Sequence, residues 1–372
     1  MEWIDREAAL TELGVKAQTL YAYVSRAQIA VKPDPADPRK SRYRRSDIDR
    51  LVAKQKRGRR QSAIAENTIH WGEPLITTAV ATIHQERLIY RGVDAVTLAE
   101  HATLEDVAAL LWSADEPINF MGLAPAGKDP YAALAGMMAN AHPLIGRAPA
   151  RWRADASDAV STLATALGAR AGTMPCHQRL ASGWGLDAKA TDRLRRALVL
   201  MADHELNPST FAVRIAASTG ASIAASLLAG LCTLSGPLHG MASSAMLALA
   251  DEAEQVGAKA AISAWLARHH VLPGFGHPLY PGGDPRAIAM MCGVTPDPVM
   301  ADLAKVAADI VGQPISCDFA IAALVRLHGL PADAGFRIFA LSRSVGWAAH
   351  AMEQAATGQI IRPRARYTGV MG

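Results

Sequence analysis

Long alanine-rich apolar runs, broken by Gly, Pro, Asp and Ser, fill most of this chain and predict helices. Near the start, Lys16 to Val24 places Leu20 and Val24 on one face at i, i+4, after a turn at Leu13-Gly14-Val15 and a short helix opening at Asp5. Residues 79–92 differ. Two short β-prone runs flank Gln85-Glu86 and predict a small hairpin. Val96 to Trp112 is amphipathic, with Thr103 and Asp106 spaced as a capping box. The segment Pro208 to Leu234 predicts one long buried helix, with Asn207 as N-cap and Pro208 at its first turn. Its apolar stretch carries Arg214 and many small polar residues, so it is not expected to span a membrane. Further helices are predicted from Ala242 to Val256, after Asp284-Pro285, and at or after Asp318.

Composition supports a mainly α fold. Half of the 372 residues are apolar while only 5% are aromatic, and alanine favours helix. The length suits two or three domains. Four scattered cysteines form no CxxC pair, so reduced thiols and no structural metal are expected. The charged N-terminus, MEWIDREAALTELG, lacks the apolar core of a signal peptide, and a cytoplasmic location is expected. The His269-His270 pair reads as a helix-end surface feature.

Charge separates two modules. Residues 1–62 hold 15 Lys and Arg against 8 Asp and Glu, whereas the remainder is slightly acidic. A helix, a glycine turn and a second helix, followed by RKSRYRRSDIDRL, make a helix-turn-helix pattern with a basic wing. The strings AAxxLGVxxxTLYxYVxR and YRRSDIDRL resemble the small winged helix-turn-helix of the MerR and excisionase type, over about one sixth of the chain. That resemblance implies DNA as a partner, contacted by Lys16, Gln18, Thr19, Tyr23, Arg39, Arg42, Arg44 and Arg45. Self-association is the competing use of such a module, and residues 57–66 read as the linker that follows it.

The second module carries the chemistry. Asp203-His204-Glu205, Gly236-Pro237-Leu238-His239-Gly240, Gly274-Phe275-Gly276-His277, Asp284-Pro285-Arg286, Asp318 and Arg343 lie in turns and at helix ends. Three histidines, an isolated carboxylate and two guanidiniums outline a site that binds a small dianion and moves protons. Arg286 in a first helical turn opposes the helix dipole, so it is expected to complete an anion site. Taken alone, Asp318 would be read as a helix cap.

Together DHELNPSTF, GPLHG, GFGHxxYxxxDPRA, CDFAIAAL, SRSVGWAAHAMEQ and IIRPRARYTG resemble the citrate synthase family in order and spacing, over residues 66 to 372. The resemblance implies a helical large domain (66–239 and 326–372) and small domain (240–325), hinged around the site, behind the 1–62 module. It implies condensation of acetyl-CoA with oxaloacetate and hydrolysis to citrate, with no cofactor beyond these substrates. Asp318 would be the base, His239 the donor to the thioester oxygen and His277 the donor to the oxaloacetate carbonyl. His204, Arg286, Arg343 and Arg362 would hold oxaloacetate, with Arg362 reaching the neighbouring site of a homodimer. Asn207 and Ser209 would orient the histidines.

The chain departs from many relatives after His277, where it reads GHPLYPGG, with Pro278 and Pro281 at positions often basic and available to CoA phosphates. Met241 and Ser243 also depart from the family's GxLHGGAN. Two further readings stay open: 2-methylcitrate synthesis from propionyl-CoA, and a DNA-binding regulator whose body senses a ligand.

Overall fold

The computed structural model describes residues 3–15, 20, 23–24, 29–35, 37, 40–52, 76–121, 127, 129–365 and 367–369. The chain divides into two units, Met1–Thr77 and Thr78–Gly372. In the first, strands β1 (Trp3–Ile4), β2 (Val31–Pro33) and β3 (Ser41–Arg44) form an antiparallel sheet of order β1-β3-β2. Helix α1 (Arg6–Leu13) is capped by Asp5, which accepts from the Ala8 N–H at 2.8 Å, and ends at Gly14 in the left-handed region. Residues 45–52 are also helical. Ile4, Ala9, Leu13, Leu20, Ile29, Tyr43 and Ile48 make the core of this unit. Most of the second helix expected over 16–24, and the 57–66 linker, lie outside the described residues.

The second unit begins with the expected hairpin. β4 (Ala81–His84) pairs with β5 (Arg87–Tyr90), and β6 (Val93–Asp94) extends the sheet. Gln85 and Glu86 both take positive φ, which gives a two-residue turn the twist the strands need. The helices that follow are α2 (Ala95–Leu98), α3 (Leu104–Leu111), α4 (Pro130–Met137), α5 (Pro149–Ala166), α6 (Cys176–Trp184) and α7 (Ala188–Leu200). Then come α8 (Pro208–Ser218), α9 (Ile223–Leu234), α10 (Ala242–Val256), α11 (Ala258–His269), α12 (Pro285–Met291), α13 (Pro298–Val311), α14 (Cys317–Leu327) and α15 (Ala334–Thr357). Among the described residues, no helix is long and apolar enough to cross a membrane.

As expected, the Thr103–Asp106 capping box starts the second part of Val96 to Trp112, a separate helix from Leu104. One sequence expectation needs correction: the long helix over Pro208 to Leu234 is two. Gly220 takes φ +82, and Ser222 caps α9 through the Ala225 N–H at 3.2 Å. Small residues at 218–222 looked like packing positions but turn the chain.

Two apolar cores lie within this unit. The larger gathers around α15 and includes Tyr90, Leu111, Leu198, Leu231, Val345 and Trp347. The smaller includes Met246, Leu249, Ile262, Phe275, Met300 and Leu303. Helix α14 serves both: Ala320 and Ile321 pack in the larger core, and Phe319, Ala322 and Ala323 in the smaller. Its N-terminus, where Asp318 sits, is therefore held from two sides.

Candidate active site

The site is built where α15 crosses the turn before α8. The Gly346 N–H donates to the Ala202 carbonyl at 3.1 Å, and a Cβ at Gly346 would collide with that oxygen and with Asp203 Oδ1. Only glycine permits this approach. One turn earlier on α15, Arg343 is buried and its Nε donates to the Met201 carbonyl at 3.0 Å. Its Nη1 and Nη2 have no partner among the described residues. A buried guanidinium with two undirected donors is costly unless an anion completes it.

The turn itself is locked from below. The Tyr90 hydroxyl lies 3.1–3.2 Å from the Val199, Leu200 and Asp203 carbonyls and 3.1 Å from the Asp203 N–H. Asp203 Oδ2 accepts from the Glu205 N–H at 3.0 Å, and Asp203 Oδ1 lies 3.3 Å from His350 Nε2. Arg214 Nε donates to His350 Nδ1 at 3.0 Å, so His350 carries its proton on Nε2 toward Asp203. Arg214 also pairs with Glu353, whose carboxylate accepts from Thr78 Oγ1 and the Ala79 N–H. Glu205 accepts from the Ile83 N–H, so the first hairpin strand is tied to this turn, and the residues just before it are tied to α15 through Glu353.

Above the turn, three rings meet. His204 lies edge-on to His277 at 5.2 Å and to Tyr280 at 5.6 Å, and its Nε2 is 3.0 Å from the Tyr280 hydroxyl. His277 Nδ1 accepts from the Leu279 N–H at 3.2 Å, so a neutral His277 presents Nε2–H as a donor. Asp284 caps α12 through the Arg286 N–H, as the sequence predicts. It also pairs with the Arg286 side chain at 2.8–2.9 Å and accepts from the Cys317 N–H at 2.9 Å. This one carboxylate thus offsets the misplaced charge of Arg286 and fixes the start of α14. Arg286, expected from the sequence to complete an anion site, thus also has an internal partner in Asp284.

Asp318 follows at the second position of α14. It does not cap the helix: its Oδ1 is buried without a hydrogen-bond partner among the described residues. The bland reading of Asp318 as a cap is therefore wrong. On the other side, His239 Nε2 is 2.9 Å from Ser209 Oγ. Ser209 donates to Asn207 Oδ1 at 2.7 Å and accepts from Trp347 Nε1 at 3.2 Å. Asn207 Oδ1 also accepts from the Thr210 N–H, which fixes its orientation as the N-cap of α8. Ser209 has one proton and gives it to Asn207, so His239 donates from Nε2 in this arrangement.

Burial sets the protonation states. It lowers His239, beside Arg343, and His277, beside Arg286, to about 4. It pushes His204 well below the usual histidine range, with Arg286 and Arg343 adding to the effect. All three are neutral at pH 7. Burial raises Asp318 to about 6, against the pull of Arg286 and Arg343. Burial also works to raise Asp284, but the Arg286 guanidinium more than reverses it. The arrangement combines neutral donors, one basic carboxylate and a cationic floor, which suits proton transfer beside a bound dianion.

His204, Asn207, Ser209, His239, His277, Arg286, Asp318 and Arg343 are thus gathered by direct contacts or by their mutual electrostatic effects. Arg362 is not among them; it is exposed in the C-terminal tail. Pro278 and Pro281 are exposed, and Leu238 is fully so. Sequence reasoning held Tyr280 only as a motif position without a role, and missed Tyr90, His350 and the second role of Asp284. The DPRA string held the only local signal, an acid two residues before a buried arginine. In the N-terminal unit, Lys16, Gln18, Thr19 and Arg39 lie outside the described residues, and Tyr23 is half-buried. Arg42 pairs with Asp34 at 2.8 Å, Arg45 with Glu12 at 3.1 Å, and Arg44 lies 3.9 Å from Asp47.

A family model for the citrate synthase C-terminal domain matches residues 161–364, more than half of the chain. Citrate synthase 2 of Bacillus subtilis is 36% identical over 189 residues, which cover 48% of this chain and 51% of that protein. The chain spans about half the length of the first curated relatives it matches. The 2-methylcitrate synthase of Shewanella oneidensis is 29% identical over 356 residues, 80% of this chain and 94% of that protein. The crystal structure of citrate synthase from Thermotoga maritima aligns with a TM-score of 0.68 at 23% identity, covering 81% of this chain and 95% of that one. A ternary complex of the Thermoplasma acidophilum enzyme with carboxymethyl coenzyme A and oxaloacetate aligns equally well, at 22% identity over 84% and 97%. These two structures share the fold.

Proposed function

Since the chain belongs to the citrate synthase family, we propose that it condenses an acyl-CoA thioester with oxaloacetate and then hydrolyses the thioester formed. The observation that carries this is Asp318: a half-buried residue whose carboxyl Oδ1 is buried without a partner among the described residues, raised to about 6, among neutral histidines and buried arginines. In this reading Arg343 binds one carboxylate of oxaloacetate through Nη1 and Nη2, and Arg286 and His204 complete the pocket. Asp318 takes a proton from the carbon next to the thioester carbonyl, giving an enolate. His239 donates a hydrogen bond to the enolate oxygen. The enolate carbon attacks the oxaloacetate carbonyl carbon, and His277 Nε2–H protonates the oxygen of that carbonyl. Water then displaces the CoA thiol.

One rearrangement follows from the hydrogen bonds. If His239 serves from Nδ1, the Ser209 hydroxyl must turn from Asn207 to His239 Nε2, leaving Asn207 Oδ1 to the Thr210 N–H. Asn207 and Ser209 then set the tautomer of His239. Arg362, exposed in this chain, is proposed to complete the site of the second subunit in a homodimer. The similarity to a 2-methylcitrate synthase across most of its length supports propionyl-CoA as the alternative thioester. Measuring free thiol released from acetyl-CoA and from propionyl-CoA, each with oxaloacetate, tests the proposal and ranks the two. Absence of release with either would leave a ligand-sensing role. The basic N-terminal unit is proposed to bind duplex DNA through phosphates. Its affinity in a gel-shift titration with the full chain should then fall steeply as salt rises. No shift at low salt would reject it.

A further inference from the structure

Tyr280 stands in the GFGHxxYxxxDPRA string but has no role assigned from the sequence, and its side chain meets three members of the site. Its hydroxyl is 3.0 Å from His204 Nε2, its ring is 5.0 Å from that of His277, and Arg286 Cζ stands 5.4 Å from its ring centroid. It is fully buried. Its backbone is held as well: the Tyr280 N–H donates to the His277 carbonyl at 2.9 Å, and the Gly283 N–H donates to the Tyr280 carbonyl at 3.1 Å.

The direction of the Tyr280–His204 hydrogen bond can be decided. The phenol has one proton, and His204 is its only hydrogen-bond partner among the described residues. Were His204 to donate from Nε2, the phenol proton would be buried without an acceptor, which is the costly outcome. Imidazole nitrogen is also a better acceptor than phenol oxygen. Burial keeps the phenol protonated and the imidazole neutral.

We infer that Tyr280 is a positioning residue: its hydroxyl donates to His204 Nε2 and fixes the Nδ1–H tautomer, which donates to the bound dicarboxylate. This rests on the dicarboxylate reading of the site. Arg286 supplies charge, and Tyr280 supplies direction through His204, while its ring packs against both His277 and Arg286.

The test is calorimetric titration of oxaloacetate into the full-length protein, the Tyr280→Phe and His204→Ala variants and the double variant. Tyr280→Phe keeps the ring and removes only the hydroxyl. It should weaken binding about three- to tenfold, the usual worth of one such hydrogen bond. On the His204→Ala background the same change should alter affinity by less than about twofold, because the effect passes through His204. Nitrogen-15 histidine spectra should show His204 protonated at Nδ1 in the wild type and lose that preference in Tyr280→Phe. Unchanged affinity in Tyr280→Phe, equal weakening on both backgrounds, or a wild-type His204 protonated at Nε2 would overturn the inference. If the wild type itself fails to bind oxaloacetate, the dicarboxylate reading falls first and this inference with it.

Discussion

Replacing Asp318 with asparagine should stabilise the protein at neutral pH and leave it nearly unchanged in acid. Burial raises this carboxyl from an ordinary 3.8 to about 6, roughly two pH units. At ~1.4 kcal/mol per unit, the ionised group costs the folded state about 3 kcal/mol. The sign is fixed by where the proton sits. Below pH 3.8 the carboxyl is protonated in both folded and unfolded chains and contributes no difference. Between 3.8 and 6 the unfolded chain releases its proton while the folded chain keeps it, so stability falls as pH rises. Above 6 the full cost is present. Asparagine does not titrate, so the gap between variant and wild type should open from near zero at pH 3.5 to ~3 kcal/mol at pH 7.5. For a chain of this size that is a rise of roughly 4–5 °C in the melting midpoint. Urea denaturation followed by tryptophan fluorescence, at several pH values, measures the gap directly, since Trp112 and Trp347 are buried in the larger core. A gap independent of pH, or an asparagine variant less stable at pH 7.5, would refute the reasoning. The group proposed as base is then a standing strain on the fold, as expected where an ionisable side chain is placed for catalysis.

Other outcomes follow from the same geometry. The rate of thiol release at low thioester concentration should climb with pH through about 6, where Asp318 ionises, with no histidine inflection between 6 and 7.5, because His239 and His277 stay neutral above about 4. Arg343→Gln should weaken oxaloacetate binding by on the order of a hundredfold in calorimetry, since two buried, otherwise unpartnered donors are lost to a carboxylate. Gly346→Ala should destabilise the protein by about 1–3 kcal/mol in denaturant titrations, because the added methyl meets Asp203 and the Ala202 carbonyl where α15 crosses the turn.

Features set by neighbours in sequence were legible beforehand. Asn207-Pro208, Asp284-Pro285 and the Thr103–Asp106 box each open a helix, and Gln85-Glu86 turns a hairpin. The histidines were found because Gly- and Pro-rich turns isolate polar groups between apolar helices, whereas Arg343, expected in a turn or at a helix end, lies inside α15 and was legible only through the SRSVGWAAHAMEQ string. What depends on long-range packing stayed hidden. Arg214 reads as an anomaly in an apolar run, and only the fold brings His350, Glu353 and Gln354 of α15 against it. Tyr90 is an ordinary strand residue until Asp203 arrives above it, more than a hundred positions later. The break at Gly220 was missed because small residues in a helix and small residues in a turn look alike without the neighbouring backbone.

The central claim is that Asp318 is the base and does not hold the dicarboxylate. It is tested most directly by assaying Asp318→Ala for thiol release beside calorimetric binding of oxaloacetate. Turnover should fall by at least about a thousandfold while oxaloacetate affinity changes by less than about threefold. Turnover near the wild-type level in a variant that still binds oxaloacetate would contradict it.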